Sequence, residues 1–166
     1  MHILIVGGGY GGVGAALALE KTFPDATITM VEPKKAFLHN IASVRAVATP
    51  SFGKKIVIPY EKLFKQPQNK VAHAYVTSVG KNSVVLDREV EGVSLSFDYA
   101  IIAVGGNYVS PFHSSACEKD DMIAELENVA EKVKEAEKIV IVGAGPVGLV
   151  ISLSYMIYTY LIGNCR

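Results

Sequence analysis

Cysteine is scarce in this chain, and its placement excludes several kinds of chemistry. Only Cys117 and Cys165 occur among the 166 residues. Two cysteines so far apart cannot form a disulfide framework, a zinc site, or a CxxC or CxxxxC redox pair. The four histidines do not have metal-ligand spacing either. The sequence therefore predicts no metal site and excludes a dithiol mechanism within this chain.

The chain also has no net charge. Sixteen basic residues balance sixteen acidic ones, so no excess of positive charge is present to attract nucleic acid or an anionic membrane. The first apolar run, 3–6, is too short for a signal-peptide core, and we expect no transmembrane span. We therefore predict a cytoplasmic protein that has a small-molecule ligand and no nucleic-acid partner.

The first 32 residues have the pattern of a βαβ unit. His2–Val6 is a short apolar run that leads directly into glycines and then into a run rich in alanine and leucine. This order predicts a strand, a tight turn and a helix. The helix is expected to end before Pro24, and 27–32 then predicts a second buried strand that ends in an acid.

The glycines after the first strand match the GxGxxG fingerprint of dinucleotide-binding folds. The first glycine permits the tight turn, the second lets a pyrophosphate approach the backbone, and the third opens a helix whose N-terminal amides favour phosphate. Glu32 lies where an acid would accept hydrogen bonds from ribose hydroxyls. The alternative is an empty turn and a solvated strand end. The predicted cofactor-binding residues of this unit are Gly7, Gly8, Gly9, Tyr10, Gly11, Gly12 and Glu32.

The pattern changes after the βαβ unit. Residues 34–60 predict only a loop, a helix and a loop, whereas 75–79, Ser83–Leu86 and 93–97 predict an antiparallel meander. Residues 98–106 predict a buried parallel strand that ends in glycines. A charged amphipathic helix is expected over 118–138, with its charged residues on a solvated face.

The opening motif then returns near the end of the chain. Residues 138–142 predict a strand, followed by a second glycine turn at Gly143, Gly145 and Gly148. Two such units suggest two dinucleotides. The residue that would select the second ribose falls about 20 positions after Gly148, which lies beyond Arg166, so we expect this second site to be incomplete.

The tail departs from the expected pattern. Residues 149–162 carry no charge, and they have no polar face at helical spacing. We hypothesise a truncated or mis-spliced product after Leu149. An uninterrupted exon that encodes the tail in frame would refute this hypothesis. The alternative is a tail that docks on a partner or a membrane surface.

The meander decides between FAD and NAD at the first turn, because a simple NAD domain would continue with alternating helices and strands. The meander followed by a strand that ends in Ala103 and Gly105 resembles the FAD/NAD-linked reductases of the pyridine-nucleotide oxidoreductase family. That family usually has Thr-Gly-Ser after the alanine, where this chain has Val-Gly-Gly. The resemblance implies FAD as cofactor, NAD(P)H as electron donor, and cofactor contacts at Ala103 and Gly105.

Residues 37–46, Phe-Leu-His-Asn-Ile-Ala-Ser-Val-Arg-Ala, resemble the apoptosis-inducing-factor-like branch, in particular the ferroptosis-suppressor type of NAD(P)H:quinone reductase. The resemblance implies that Arg45 contacts the FAD phosphate or ribityl region and that the backbone of Val76 contacts the adenine side. A buried arginine needs an anionic partner, and the surrounding residues 41–48 contain no acidic side chain. A phosphate of the ligand would supply that partner. The alternative is an ordinary surface arginine. That branch has a glutamate where this chain has Val150, and the resemblance is expected to end there.

Together these patterns predict an α/β, Rossmann-like FAD/NAD(P)-binding fold, with a parallel sheet and a three-stranded antiparallel meander, truncated in its second nucleotide-binding domain. The expected domains are 1–112 for FAD, 113–148 for the start of the NAD(P) domain, and 149–166 for the atypical tail. The implied reaction passes electrons from NAD(P)H through flavin to a small acceptor, with a quinone as the candidate. No side chain is a candidate catalytic acid, base or nucleophile. The competing hypothesis is a non-catalytic fragment that binds an adenine dinucleotide.

Overall fold

The computed structural model describes residues 1–90, 92, 94–106, 108, 112–157 and 159. The chain forms two compact units: Met1–Phe37 with Pro59–Gly106, and Leu38–Ile58 with Asn107–Arg166. Its strands are β1 (His2–Val6), β2 (Thr27–Val31), β3 (Ala36–Leu38), β4 (Val57–Pro59), β5 (Lys70–Ala72), β6 (Val76–Val79), β7 (Ser83–Leu86), β8 (Ser94–Ser96) and β9 (Tyr99–Ile102). Its helices are α1 (Tyr10–Thr22), α2 (Asn40–Ala46), α3 (Gly53–Ile56), α4 (Lys119–Glu135) and α5 (Pro146–Ile157).

The first unit is built on a four-stranded parallel sheet of order β5-β2-β1-β9. Central strand β1 is paired on both sides, with Ile3 opposite Ile28 on β2 and opposite Tyr99 on β9. A parallel sheet needs cover on both faces, and successive side chains of a strand point to opposite faces. Leu4 accordingly packs in one apolar cluster and Ile5 in another. The predicted βαβ unit is confirmed.

The two clusters lie on opposite faces of the sheet. One joins the sheet to the antiparallel strands and contains Leu4, Val6, Val31, Ala72, Ala74, Val84, Leu86 and Leu95. The other lies beneath α1 and contains Ile5, Ala16, Ile28, Met30 and Tyr60. The three-stranded sheet β6-β7-β8 is antiparallel throughout, so the predicted meander is also confirmed.

Strand β9 differs from its prediction in burial. It is parallel to β1, as expected, but Tyr99 is 63% exposed and Ile102 is 56% exposed. The expectation of a buried strand is therefore wrong. Because β9 is the outer strand of the sheet, β1 is the only described strand that pairs with it. Apolar composition alone did not distinguish an outer strand from a central one.

The second unit contains α2 to α5. Helix α4 buries Met122, Ile123, Leu126 and Ala130 on one face, a helical spacing that confirms the predicted amphipathic helix. Gly53 lies so close to α4 that an added Cβ would be 3.3 Å from the Cβ of Leu126. The segment 34–60, predicted as a loop, a helix and a loop, also contains α3 and two short strands.

The strand predicted near the end of the chain is not formed. Residues 138–142 do not form a strand, and none of the described strands pairs with them. Val140 and Val142 are 85% and 95% exposed, because a β-run without a neighbouring ladder has nothing to pair with or to pack on. Residues 146–157 form helix α5, which buries no residue, in agreement with the lack of an amphipathic pattern after Leu149. Among the described residues, no helix has the length and apolar character needed to cross a membrane.

A buried amide connects three parts of the first unit. Asn69 is 8% exposed, and its Oδ1 accepts a hydrogen bond from the Ile28 amide at 2.8 Å. Its Nδ2 donates to the Glu20 carboxylate at 2.9 Å, and the same carboxylate accepts the Lys65 and Gln66 amides. The Asn69 side chain thus accepts the hydrogen bond of a β2 amide and donates one to a carboxylate near the C-terminal end of α1, so that neither buried group lacks a partner.

We expect Asn69→Ala to lower the free energy of unfolding by about 2 kcal/mol, because it leaves the buried Ile28 amide without an acceptor. Urea denaturation measures this loss. The matched control is Gln68→Ala, which removes the exposed side-chain bond from Gln68 to the Pro24 carbonyl and should cost less than about 0.5 kcal/mol. Equal losses in the two variants would contradict the role of Asn69.

Candidate functional site

The first glycine turn lies at the carboxyl edge of the parallel sheet. The Gly7 amide donates to the Val31 carbonyl at 2.9 Å, and the Ala103 amide donates to the Val6 carbonyl at 2.7 Å. These bonds continue the ladders beyond β1, so the ends of three neighbouring strands surround the turn. In open α/β sheets, this edge is where ligands bind.

Two positions of the turn require glycine, because other main-chain atoms lie too close to leave space for a Cβ. Gly7 has a φ of +100°, and a Cβ there would overlap the backbone of Ala103. A Cβ on Gly12 would overlap the Gly7 carbonyl oxygen and lie 3.4 Å from Ile5. The first and third glycines thus let α1 begin directly against the end of β1.

The N-cap residue of α1 is a glycine and so has no side chain to cap the helix. Gly9 is the N-cap residue, its carbonyl accepts the Val13 amide at 2.9 Å, and the first turn contains no acid. A Cβ placed on Gly9 would meet nothing within 4 Å. The main-chain amides at a helix N-terminus, together with the positive end of the helix dipole, attract anions. The first turn of α1 therefore has the chemistry of a phosphate site.

Glu32 lies one residue after β2 and contacts the glycine turn. Its Oε2 accepts the Gly8 amide at 2.7 Å, and its Oε1 accepts the Lys34 amide at 3.0 Å. The carboxylate is half-buried, and each of its oxygens can accept more than one hydrogen bond. Glu32 therefore orders the turn while keeping capacity for a ligand hydroxyl.

Tyr60 is part of this site, and the sequence did not reveal it. It is 6% exposed, and its hydroxyl donates to the Gly8 carbonyl at 2.6 Å. Burial raises the pKa of this hydroxyl far above its usual range, and the Glu32 carboxylate raises that pKa further. Gly8 has no space for a side chain, because a Cβ would be 2.6 Å from the Tyr60 hydroxyl and 2.8 Å from Cγ of Glu32.

Apart from Arg45, the remaining residues predicted for the first site lie in the same unit. The Tyr10 ring packs edge-on against Phe37, with the ring centroids 5.0 Å apart. Gly11 approaches the Ala103 side chain, since an added Cβ would be 3.7 Å from it. Val76 opens β6 and is half-buried, and Gly105 has a φ of +70°.

The second glycine turn repeats the local geometry of the first. Gly143 has a φ of +106°, a Cβ on Gly148 would overlap the Gly143 carbonyl oxygen, and Ile141 lies 3.4 Å from that Cβ. The Gly145 carbonyl accepts the Leu149 amide at 3.1 Å. This turn is therefore formed although the strand predicted before it is not.

Arg45 lies on α2, in the second unit, and it is exposed. The expectation of a buried arginine is wrong, because α2 directs Ser43, Val44 and Ala46 inward instead. The Arg45 guanidinium lies over the ring of Phe52, 6.0 Å from its centroid, within the range of a cation–π contact.

We expect Gly12→Ala to lower the free energy of unfolding by more than about 2 kcal/mol, because its Cβ would overlap the Gly7 carbonyl. The control is Gly14→Ala on the same helix, where a Cβ would meet nothing within 4 Å. That change should stabilise the chain by roughly 0.5–1 kcal/mol through helix propensity. Urea denaturation of both variants measures the difference, and a well-tolerated Gly12→Ala would show that the contact is unimportant.

The raised pKa of Tyr60 predicts a loss of stability at high pH. Below about pH 10 the hydroxyl is protonated in both the folded and the unfolded chain, so its stabilising effect is fully present. Above that pH only the unfolded chain ionises at this position. The stability difference between the wild type and Tyr60→Phe should therefore shrink by up to about 1.4 kcal/mol per pH unit. Urea denaturation from pH 8 to pH 11 measures it, and a constant difference would be inconsistent with a raised pKa.

Comparison with known sequences finds relatives that match most of this chain. The chain is 38% identical over 148 residues to apoptosis-inducing factor homolog B of Dictyostelium discoideum, covering 88% of this chain and 36% of that protein. It is 34% identical over 154 residues to ferroptosis suppressor protein 1 of Xenopus laevis, covering 90% and 38%. The chain thus spans little more than a third of the length of these relatives.

Comparison with solved structures also finds proteins of similar fold. NDH2 from Plasmodium falciparum, solved in complex with NADH, matches with a TM-score of 0.66 at 18% identity, over 99% of this chain and 38% of that one. Residues 1–160 match the family described as pyridine nucleotide-disulphide oxidoreductase. That match continues past Val150, where the resemblance is expected to end. The Rossmann-like α/β fold is confirmed, and the chain belongs to the pyridine nucleotide-disulphide oxidoreductase family.

Proposed function

We propose that the first unit binds the ADP half of FAD. The observation that carries this proposal is the N-terminus of α1, where the helix begins at Gly9, an N-cap residue with open space at its Cβ position. A pyrophosphate supplies the negative charge that this terminus favours. Glu32, at the end of β2, adds an acceptor suited to ribose hydroxyls.

The choice of FAD is supported by the strands that follow the βαβ unit. The chain continues into the antiparallel sheet β6-β7-β8 and returns through β9 to the glycine turn. Membership of the pyridine nucleotide-disulphide oxidoreductase family supports a flavin cofactor in general. In this proposal Val76 contacts the adenine side, and Ala103 and Gly105 contact the cofactor from the end of β9.

The proposed activity is electron transfer from NAD(P)H through the flavin to a small acceptor, with a quinone as the candidate. Bound flavin supplies the hydride chemistry, and the protein supplies position and electrostatics. Residues 1–112 would serve FAD, with Arg45 at its phosphate or ribityl region. Residues 113–148 would begin the NAD(P) domain, with Gly143, Gly145 and Gly148 at the second dinucleotide. We place the protein in the cytoplasm, with association at a membrane surface as the alternative.

A second candidate is a non-catalytic chain that binds an adenine dinucleotide. The observation that favours it is the second glycine turn, which is formed without a strand before it. Val140 and Val142 are almost fully exposed there. A site for NAD(P)H needs that strand, because the strand and the helix together orient the turn.

The visible absorption spectrum of the purified chain, with added FAD, tests the proposal. A stoichiometric flavin spectrum that bleaches on addition of NADH would support the oxidoreductase. A colourless chain that binds ADP would support the non-catalytic candidate, and a chain that binds neither FAD nor ADP would refute both.

Substitution of Gly9 shows whether binding occurs at the first turn. We expect Gly9→Ala to fold normally, because a Cβ there would meet nothing within 4 Å, but to bind FAD at least tenfold more weakly, because the methyl group occupies the space for the pyrophosphate. Gly14→Ala is the matched control and should bind FAD like the wild type. Equal affinities of the two variants would show that the flavin does not bind at this turn.

A further inference from the structure

The peptide that joins Gly8 to Gly9 is held on one side and open on the other. The Tyr60 hydroxyl donates to its carbonyl oxygen at 2.6 Å, whereas the space around Gly9 is open. The carbonyl and the amide N–H of one planar trans peptide point in opposite directions. A hydrogen bond that holds the Gly8 carbonyl on Tyr60 therefore directs the Gly9 N–H away from Tyr60.

Tyr60 is well placed to hold this peptide, because its own position is fixed. Its ring packs in the apolar cluster that contains Ile28 and Met30, and its backbone amide donates to the Lys35 carbonyl at 3.3 Å. The turn that it contacts consists of glycines, which have the widest backbone freedom of any residue. A fixed group from outside the turn can therefore hold this peptide in one orientation.

We propose that Tyr60 is a positioning residue for phosphate binding: its hydroxyl fixes the peptide between Gly8 and Gly9 so that the Gly9 N–H is directed at the dinucleotide phosphate. This inference rests on the proposed dinucleotide site. Glu32 holds the preceding peptide through the Gly8 N–H at 2.7 Å. Two successive peptides of the turn are thus each held by one side chain, and Tyr60 acts through the backbone without contacting the ligand.

The test compares ADP with adenosine, which has no phosphate, in NMR titrations of the full chain. We expect Tyr60→Phe to bind ADP roughly tenfold more weakly, as the loss of one oriented hydrogen bond would cause, and to bind adenosine within twofold of the wild type. Tyr99→Phe, which removes a hydroxyl from a 63% exposed side chain, is the matched control and should change neither affinity.

The possible results separate this inference from the proposed function. Unchanged ADP affinity in Tyr60→Phe, or an equal loss for ADP and adenosine, would overturn the role of Tyr60 and leave the dinucleotide site standing. A wild-type chain that does not bind ADP would overturn the site itself, and the inference with it.

A second measurement uses only the wild-type chain, so it does not depend on how the variant folds. On addition of ADP, the amide resonance of Gly9 should shift. The resonances of the Gly8 carbonyl carbon and of the Tyr60 ring should keep their chemical shifts. Equally large shifts at the Gly8 carbonyl would show that the peptide reorients on binding, and they would overturn the inference.

Discussion

The approach of Gly12 to the carbonyl oxygen of Gly7 is the contact on which the rest of the first unit depends. It leaves no space for a side chain between the end of β1 and the start of α1. Ala16, one turn further along α1, is completely buried and continues the same close packing. The distance between helix and sheet is therefore set by backbone atoms, and the position of the helix N-terminus follows from it. Interior packing is dense enough that such a contact cannot relax without moving the helix.

The elements that could be predicted are those whose signals are local. Strand β1 has the predicted bounds His2–Val6, because a short apolar run that ends at glycines has few alternatives. The antiparallel strands were marked by turn residues such as Gly80, whose amide bonds the Ser83 carbonyl at 2.7 Å. Glu32 was found by its spacing from the fingerprint, since that spacing reflects the length of one helix and one strand.

The features that were missed depend on contacts far apart in sequence. Tyr60 lies 52 positions from Gly8, and nothing near it in the sequence indicates that its hydroxyl reaches the turn. The exposure of Tyr99 follows from the strand order, which apolar composition does not specify. The two glycine turns show the difference between local structure and structure that needs a distant partner. Gly7 and Gly143 have similar φ values, so the turn forms locally, whereas a strand also needs a neighbour to supply its ladder.

The charge at the start of α1 also determines how an anion would arrive. A helix N-terminus carries roughly half of an elementary charge, spread over main-chain amides, and the 16 basic residues of the chain are cancelled by 16 acidic ones. At physiological salt such a partial charge is screened beyond about 8 Å, so it holds a nearby phosphate but does not draw one in from a distance. Encounter therefore proceeds by unsteered diffusion, and its rate should depend only weakly on ionic strength.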